Sequence, residues 1–169
     1  MNRAVFLDKD GTINTDHGYV YKTEDFNFLP GSIDAILRLN QAGFLVIVVS
    51  NQSGVARGYY SEKDIEVLHK HINDQLNSRG AHIDAFYYCP HLYPDGIPPY
   101  NVKCDCRKPE TGMVEKAIAD FGIDRAESYM IGDKEIDVEL GRRARLKGSF
   151  KISESYTLLD CVKQILGNG

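Results

Sequence analysis

Residues 8–12 read Asp-Lys-Asp-Gly-Thr, and the carboxylates of Asp8 and Asp10 are the pair in this chain best suited to covalent chemistry. An apolar run, Ala4-Val5-Phe6-Leu7, leads straight into them and puts them at a strand end. Alternation along a strand would aim both to the same side. Gly11 permits the tight turn that brings backbone close to a ligand. Two close carboxylates repel, so a nearby cation would keep one ionised as a nucleophile while the other holds a proton. The same letters occur in surface turns and calcium loops. A calcium loop, however, needs a glutamate at its twelfth position, where this chain has Tyr19.

Three further segments could serve the same chemistry. Ser50-Asn51-Gln52-Ser53 offers a hydroxyl and several N–H donors for phosphate oxygens, although Ser and Asn also commonly begin turns. Lys108, in Cys106-Arg107-Lys108-Pro109, is a fixed cation able to neutralise a transferring phosphoryl group; alone it reads as a solvated surface charge. Gly132-Asp133-Lys134-Glu135-Ile136-Asp137 provides hard oxygen ligands suited to Mg²⁺, or simply an acidic helix start.

A separate set points to zinc. Cys89-Pro90-His91 and Cys104-Asp105-Cys106 give three thiolates and one imidazole, a full tetrahedral set for a structural ion. All four lie in one stretch, residues 89–108, rich in proline and tyrosine and without an evident core, so a metal tether would stabilise it. Zinc there would also hold Lys108, two residues beyond Cys106. Cys161 falls on the apolar face of the last helix and reads as packing.

The elements that must position these groups alternate between strand and helix. Residues 32–41 read as a helix that Gly43 ends. The run Phe44-Leu45-Val46-Ile47-Val48-Val49 lacks polar alternation, as a parallel strand buried on both faces requires. Ser61 and Asp64 form a capping box before a long helix carrying Ile65, Leu68, Ile72 and Leu76. Residues 83–88 read as a strand, 111–121 as a helix, 128–131 as a strand followed by a helix, 150–152 as a strand and 157–166 as a helix. This order predicts an α/β fold: a Rossmann-like three-layer α/β/α arrangement with a mostly parallel sheet. Ligands in such folds bind at the carboxyl ends of the strands. Four of the inferred strands end in polar, chemically capable residues, so they converge on one active site.

At 169 residues the chain has the length of one domain, residues 1–169, with enough material for one core. Its N-terminus is no secretion signal, because the apolar stretch is short and closes on a carboxylate. No run approaches the roughly 18–20 apolar residues that cross a bilayer. Cytoplasmic residence follows, and there a cysteine cluster points to metal rather than disulfides. A formal net charge of -4 argues against a nucleic-acid or membrane-surface binder, and a monomer is expected.

These motifs, in this order from Ala4 to about Gly141, resemble the haloacid dehalogenase superfamily of phosphatases. The resemblance implies that Asp8 is the nucleophile that takes the phosphoryl group. Asp10 would protonate the leaving alcohol and later activate water, while Ser50 and Lys108 hold the phosphoryl oxygens. Mg²⁺ would be bound by Asp8, the Asp10 carbonyl and Asp133, with Asp137 in support. The zinc cluster narrows the likeness to a subgroup acting on heptose bisphosphates or on histidinol phosphate. Asp16-His17-Gly18-Tyr19-Val20 and Asn51-Gln52-Ser53-Gly54-Val55-Ala56-Arg57-Gly58 lean to the heptose side. They imply a sugar-phosphate substrate, in nucleotide-activated heptose biosynthesis for a surface glycan, touching Asp16, His17, Gly18, Tyr19, Asn51, Gln52, Ser53, Arg57, Arg107 and Lys134. No segment is long enough for a large cap domain. Three departures stand out: Ser50 where threonine is usual, Lys9 where arginine is common, and a strongly basic segment at residues 142–148 that reads as a solvated helix face or a partner patch. A phosphatase acting on nucleic-acid ends and a zinc-stapled binding module without catalysis are the alternatives from other classes.

Overall fold

The computed structural model describes residues 1–167. Five parallel strands form one sheet in the order β3-β2-β1-β4-β5, with β1 at Ala4–Leu7, β2 at Leu45–Asn51, β3 at Ala85–Cys89, β4 at Tyr129–Gly132 and β5 at Gly148–Lys151. The chain moves outward from β1 through β2 to β3, then crosses back to β4. The topological switch therefore lies between β1 and β4, the position where such sheets bind ligands. Leu7 pairs with Ile131, so the residues after both strands emerge side by side.

Five helices, α1 at Ser32–Gln41, α2 at Glu62–Asn77, α3 at Gly112–Phe121, α4 at Glu135–Arg143 and α5 at Leu158–Ile165, cover the two faces. Val5, Leu7, Val46 and Val48 face one apolar cluster with α1, α2 and α5, while Phe6, Ile47 and Val49 face the other with α3 and α4. That two-sided burial is why the central strands carry no polar alternation. The α2 capping box forms as the sequence predicts: Asp64 N–H donates to Ser61 Oγ at 3.1 Å and Ser61 N–H donates back at 2.9 Å.

Two expectations shift. The last strand is β5 at Gly148–Lys151 rather than residues 150–152, because pairing Tyr129 with Gly148 and Gly132 with Lys151 sets its register; Ile152 leaves the strand and packs in the core. The basic segment 142–148 is divided among acids: Arg142 and Arg143 pair with Glu139, Arg143 also with Glu110, and Lys147 with Glu127. Among the described residues no helix is long and apolar enough to cross a membrane.

Candidate active site

β1 ends at Leu7, so Asp8, Lys9 and Asp10 already belong to the turn. Asp8 and Asp10 do face one cavity of about 340 Å³, but turn geometry rather than strand pleat brings them there. The turn is fixed from behind. Asp8 N–H donates to the Ile131 carbonyl at 3.0 Å, and the Lys9 carbonyl accepts from Thr12 and Ile13. Gly11 has φ +84°, and a Cβ there would sit 2.2 Å from Asp133 Oδ2, so only glycine lets the turn press against the β4 end.

Lys108 enters from the opposite side. It is 4% exposed, with Nζ 2.6 Å from Asp8 Oδ1 and 2.8 Å from Asp137 Oδ1. Burial alone would pull its pKa down, but the charges of Asp8 and Asp137 outweigh burial and raise it, so the ammonium persists. Asn51 aims the loop that carries it: Lys108 N–H donates to Asn51 Oδ1 at 2.9 Å, and Asn51 Nδ2 donates to the Lys108 carbonyl at 3.3 Å.

Asp8, Asp133 and Asp137 each bring a carboxylate oxygen within 4.8 Å of the others. Burial, then a hydrogen bond and charge from Asp8, push the Asp133 carboxyl up to about 7. Its Oδ1 is buried and without a partner. A crowd of hard oxygen donors with one unmet lone pair fits a cation such as Mg²⁺.

Asp10 has its own cation. Lys9, 1% exposed, places Nζ 2.6 Å from Asp10 Oδ1, where Asn14 Nδ2 also donates at 3.0 Å; Gln52 Nε2 donates to Oδ2 at 3.3 Å. Burial would raise the Asp10 carboxyl, but the Lys9 charge and these three hydrogen bonds hold it below its ordinary value. In this geometry the surroundings favour the ionised Asp10 carboxylate, rather than the proton-holding carboxyl that the sequence suggests.

The cysteine–histidine set also comes together. Cys89 Sγ lies 3.5 Å from His91 Nδ1 and 3.6 Å from Cys104 Sγ, and Cys106 Sγ is 3.4 Å from the same nitrogen. Tetrahedral ligands about 2.3 Å from a zinc ion would lie roughly 3.8 Å apart, close to these separations. The Cys89 hydrogen bond, then burial, push the Cys106 thiol up.

The sequence and the architecture have counterparts among known proteins. D-glycero-beta-D-manno-heptose-1,7-bisphosphate 7-phosphatase of Haemophilus ducreyi is 48% identical over 146 residues, spanning 86% of this chain and 80% of that protein. This chain belongs to that phosphatase family. A family model for HAD-hydrolase-like proteins matches residues 105–151. A HAD-like phosphatase from Mesorhizobium loti superposes with a TM-score of 0.90 at 30% identity, covering 99% of this chain and 88% of the other. D,D-heptose 1,7-bisphosphate phosphatase from B. bronchiseptica, solved with magnesium and phosphate, gives 0.80 at 28% identity with 99% of each chain covered.

The cavity of this phosphatase is lined by Asp16, Gly18, Tyr19, Ser53, Arg57, Arg107 and Lys134, all residues singled out from the sequence. Asn51 and Gln52 also line it, whereas Ser50, 1% exposed, lies beneath Gln52. His17 is not among the lining residues: its Nε2 pairs with the Asp25 carbonyl at 3.0 Å on the outer side of its loop. Asn14 and Tyr60 do not stand out in the sequence, and Lys9 does so only as a departure from the family's usual arginine. Lys9 lies inside the aspartate motif, but strand alternation would have sent it away from its neighbours. Tyr60 gave no signal beyond preceding a helix cap.

Proposed function

We propose that this chain hydrolyses the 7-phosphate of D-glycero-β-D-manno-heptose 1,7-bisphosphate through an aspartyl-phosphate on Asp8. The β anomer and the position of cleavage follow the names of relatives as similar as the Haemophilus protein. The observation that carries the chemistry is the buried Lys108 ammonium 2.6 Å from the Asp8 carboxylate at the switch point of the sheet.

Asp8 would attack phosphorus while the bond from phosphorus to the sugar oxygen breaks. Asp10 gives its proton to that leaving oxygen; a phosphate dianion binding beside it would raise the carboxyl from its resting value. Asp10 then takes a proton from water, which attacks phosphorus and breaks its bond to Asp8, releasing inorganic phosphate. Lys108 and Ser50 hold the phosphoryl oxygens and offset their charge. Mg²⁺ bound by Asp8, the Asp10 carbonyl and Asp133, with Asp137 in support, would neutralise the phosphate and the nucleophile together. Zinc on Cys89, His91, Cys104 and Cys106 would be structural. Asp16, Gly18, Tyr19, Asn51, Ser53 and Arg57, with Arg107 and Lys134, would take the sugar hydroxyls and the distant phosphate. His17 would act only by shaping its loop.

This reading treats the protein as one cytoplasmic, monomeric domain in activated-heptose synthesis. Histidinol phosphate offers no second phosphate for Arg57, Arg107 and Lys134, and a non-catalytic module gives no role to a buried Asp8–Lys108 pair. Phosphate release from both heptose anomers and from histidinol phosphate, with Mg²⁺ and with Asp8→Asn as control, tests it. Preference for the β heptose bisphosphate, lost in the variant, is expected. Faster turnover of histidinol phosphate would overturn the substrate, and no turnover of any would overturn the activity.

A further inference from the structure

Gln52 sits at the centre of a short hydrogen-bond chain under the cavity. Its Nε2 donates to Ser50 Oγ at 2.5 Å and to Asp10 Oδ2 at 3.3 Å, and its Oε1 accepts from the Tyr60 hydroxyl at 2.5 Å. Gln52 and Tyr60 are 4% and 8% exposed, so solvent offers few substitute partners.

A glutamine amide has two nearly isosteric ends. Rotated by half a turn, it would present a carbonyl oxygen to the Asp10 carboxylate and repel it. Something must choose the orientation, and the Tyr60 hydroxyl faces the other end as a donor. Burial and the charge of Asp10 both raise the Tyr60 pKa, which keeps that proton in place.

The phenol is itself tightly held. Tyr21 stacks on its ring at 5.0 Å with 19° between planes, and Ser61, the next residue, caps α2. A Cβ on Gly54 would lie 2.1 Å from the ring, so a bare glycine is needed for the phenol to reach Gln52. The Gln52 backbone is pinned as well, its N–H donating to the Cys89 carbonyl at 2.8 Å.

We infer that Tyr60 is a positioning residue: its hydroxyl fixes which way the Gln52 amide faces, and thereby aims the Asp10 carboxyl at the leaving oxygen. The inference rests on the proposed role of Asp10 as the acid for that oxygen. Gln52 then acts as a link between Tyr60 and Asp10 rather than as a direct sugar contact.

The test compares substrates that differ in their need for an acid. A sugar phosphate leaves as an alkoxide and needs a proton, whereas p-nitrophenyl phosphate leaves unaided. Tyr60→Phe keeps the ring and removes one hydroxyl. It should lower kcat/KM for the heptose bisphosphate about tenfold or more while changing that for p-nitrophenyl phosphate by no more than about twofold, with KM for the sugar held. Adding Tyr60→Phe to Gln52→Met should cause no further loss, because the link is already cut. Asp10→Asn separates the two ideas. If it shows no contrast between substrates, the acid assignment falls and takes this inference with it. A contrast in Asp10→Asn with equal losses, or none, in Tyr60→Phe overturns the inference alone.

Discussion

Lys108 Nζ lies 2.8 Å from Asp137 Oδ1, and the second oxygen of Asp137 accepts from the Lys134 backbone N–H at 3.2 Å. Asp137 thus closes the first turn of α4 and steers the lysine that contacts Asp8. Lys108→Met should lower kcat about a hundredfold to a thousandfold, as removal of one preorganised charge donor does elsewhere. Asp137→Asn should cost about tenfold, because Lys108 remains but is less firmly aimed. Steady-state kinetics of the two variants and their double would check this. Additive losses would show that Asp137 does not work through the lysine.

Zinc on the four-residue cluster should matter although it touches no reacting atom. The loop docks on the substrate side too: Ile97 N–H donates to the Ala56 carbonyl at 2.7 Å, next to Arg57. One tether therefore steadies Lys108 at one end and the Arg57 loop near the other. Elemental analysis should find one zinc per chain, and Cys104→Ser should lose it. The stripped protein, still folded by circular dichroism, should show kcat lowered at least about tenfold. Full activity without zinc would refute the coupling.

Arg57 should report on the distant phosphate. It lies over the Tyr19 ring at 5.8 Å, and Tyr19 meets Tyr59 edge-on at 4.9 Å, so its guanidinium is held at the cavity mouth. Arg57→Ala should raise KM for the bisphosphate about tenfold or more and leave p-nitrophenyl phosphate within about twofold, since only the former carries a second phosphate. Equal effects on both substrates would place Arg57 at the reacting phosphate instead.

Much of this was legible in the sequence, for a physical reason. Strong periodicity marks elements that bury a face, so α1 over residues 32–41 and the apolar β2 could be read directly. Asp8 and Asp133 could be placed together because a parallel sheet brings strand ends to one edge, whereas Lys108 follows no strand and by itself reads as a surface charge. The polar support did not show. Lys9 serves Asp10 only because β1 stops at Leu7 and the turn reverses its side chain. Tyr60 reaches Gln52 through a gap left by Gly54, a three-dimensional coincidence with no periodic trace. β5 was misplaced because pairing with β4, not its own composition, sets its register.

Stability should depend on pH through His69. Its ring stacks on Phe86 at 4.1 Å with 15° between planes, and Nε2 is buried without a partner. Burial first, then the Lys9 charge, lower its pKa to about 3, so the folded protein keeps it neutral. The unfolded chain takes up a proton near pH 6.5, its ordinary value. Between those two values the unfolded state binds more protons, so folding stability falls as pH falls below 6.5, by about 1.4 kcal/mol per unit, and this loss levels off near 3. His69→Phe preserves the stack and removes the titration. Urea unfolding at pH 7 and pH 5 should show that the wild-type protein loses about 2 kcal/mol more than the variant over that interval. Equal losses in both proteins would mean that His69 is protonated in the folded state, and that the pocket beside Lys9 admits a second cation.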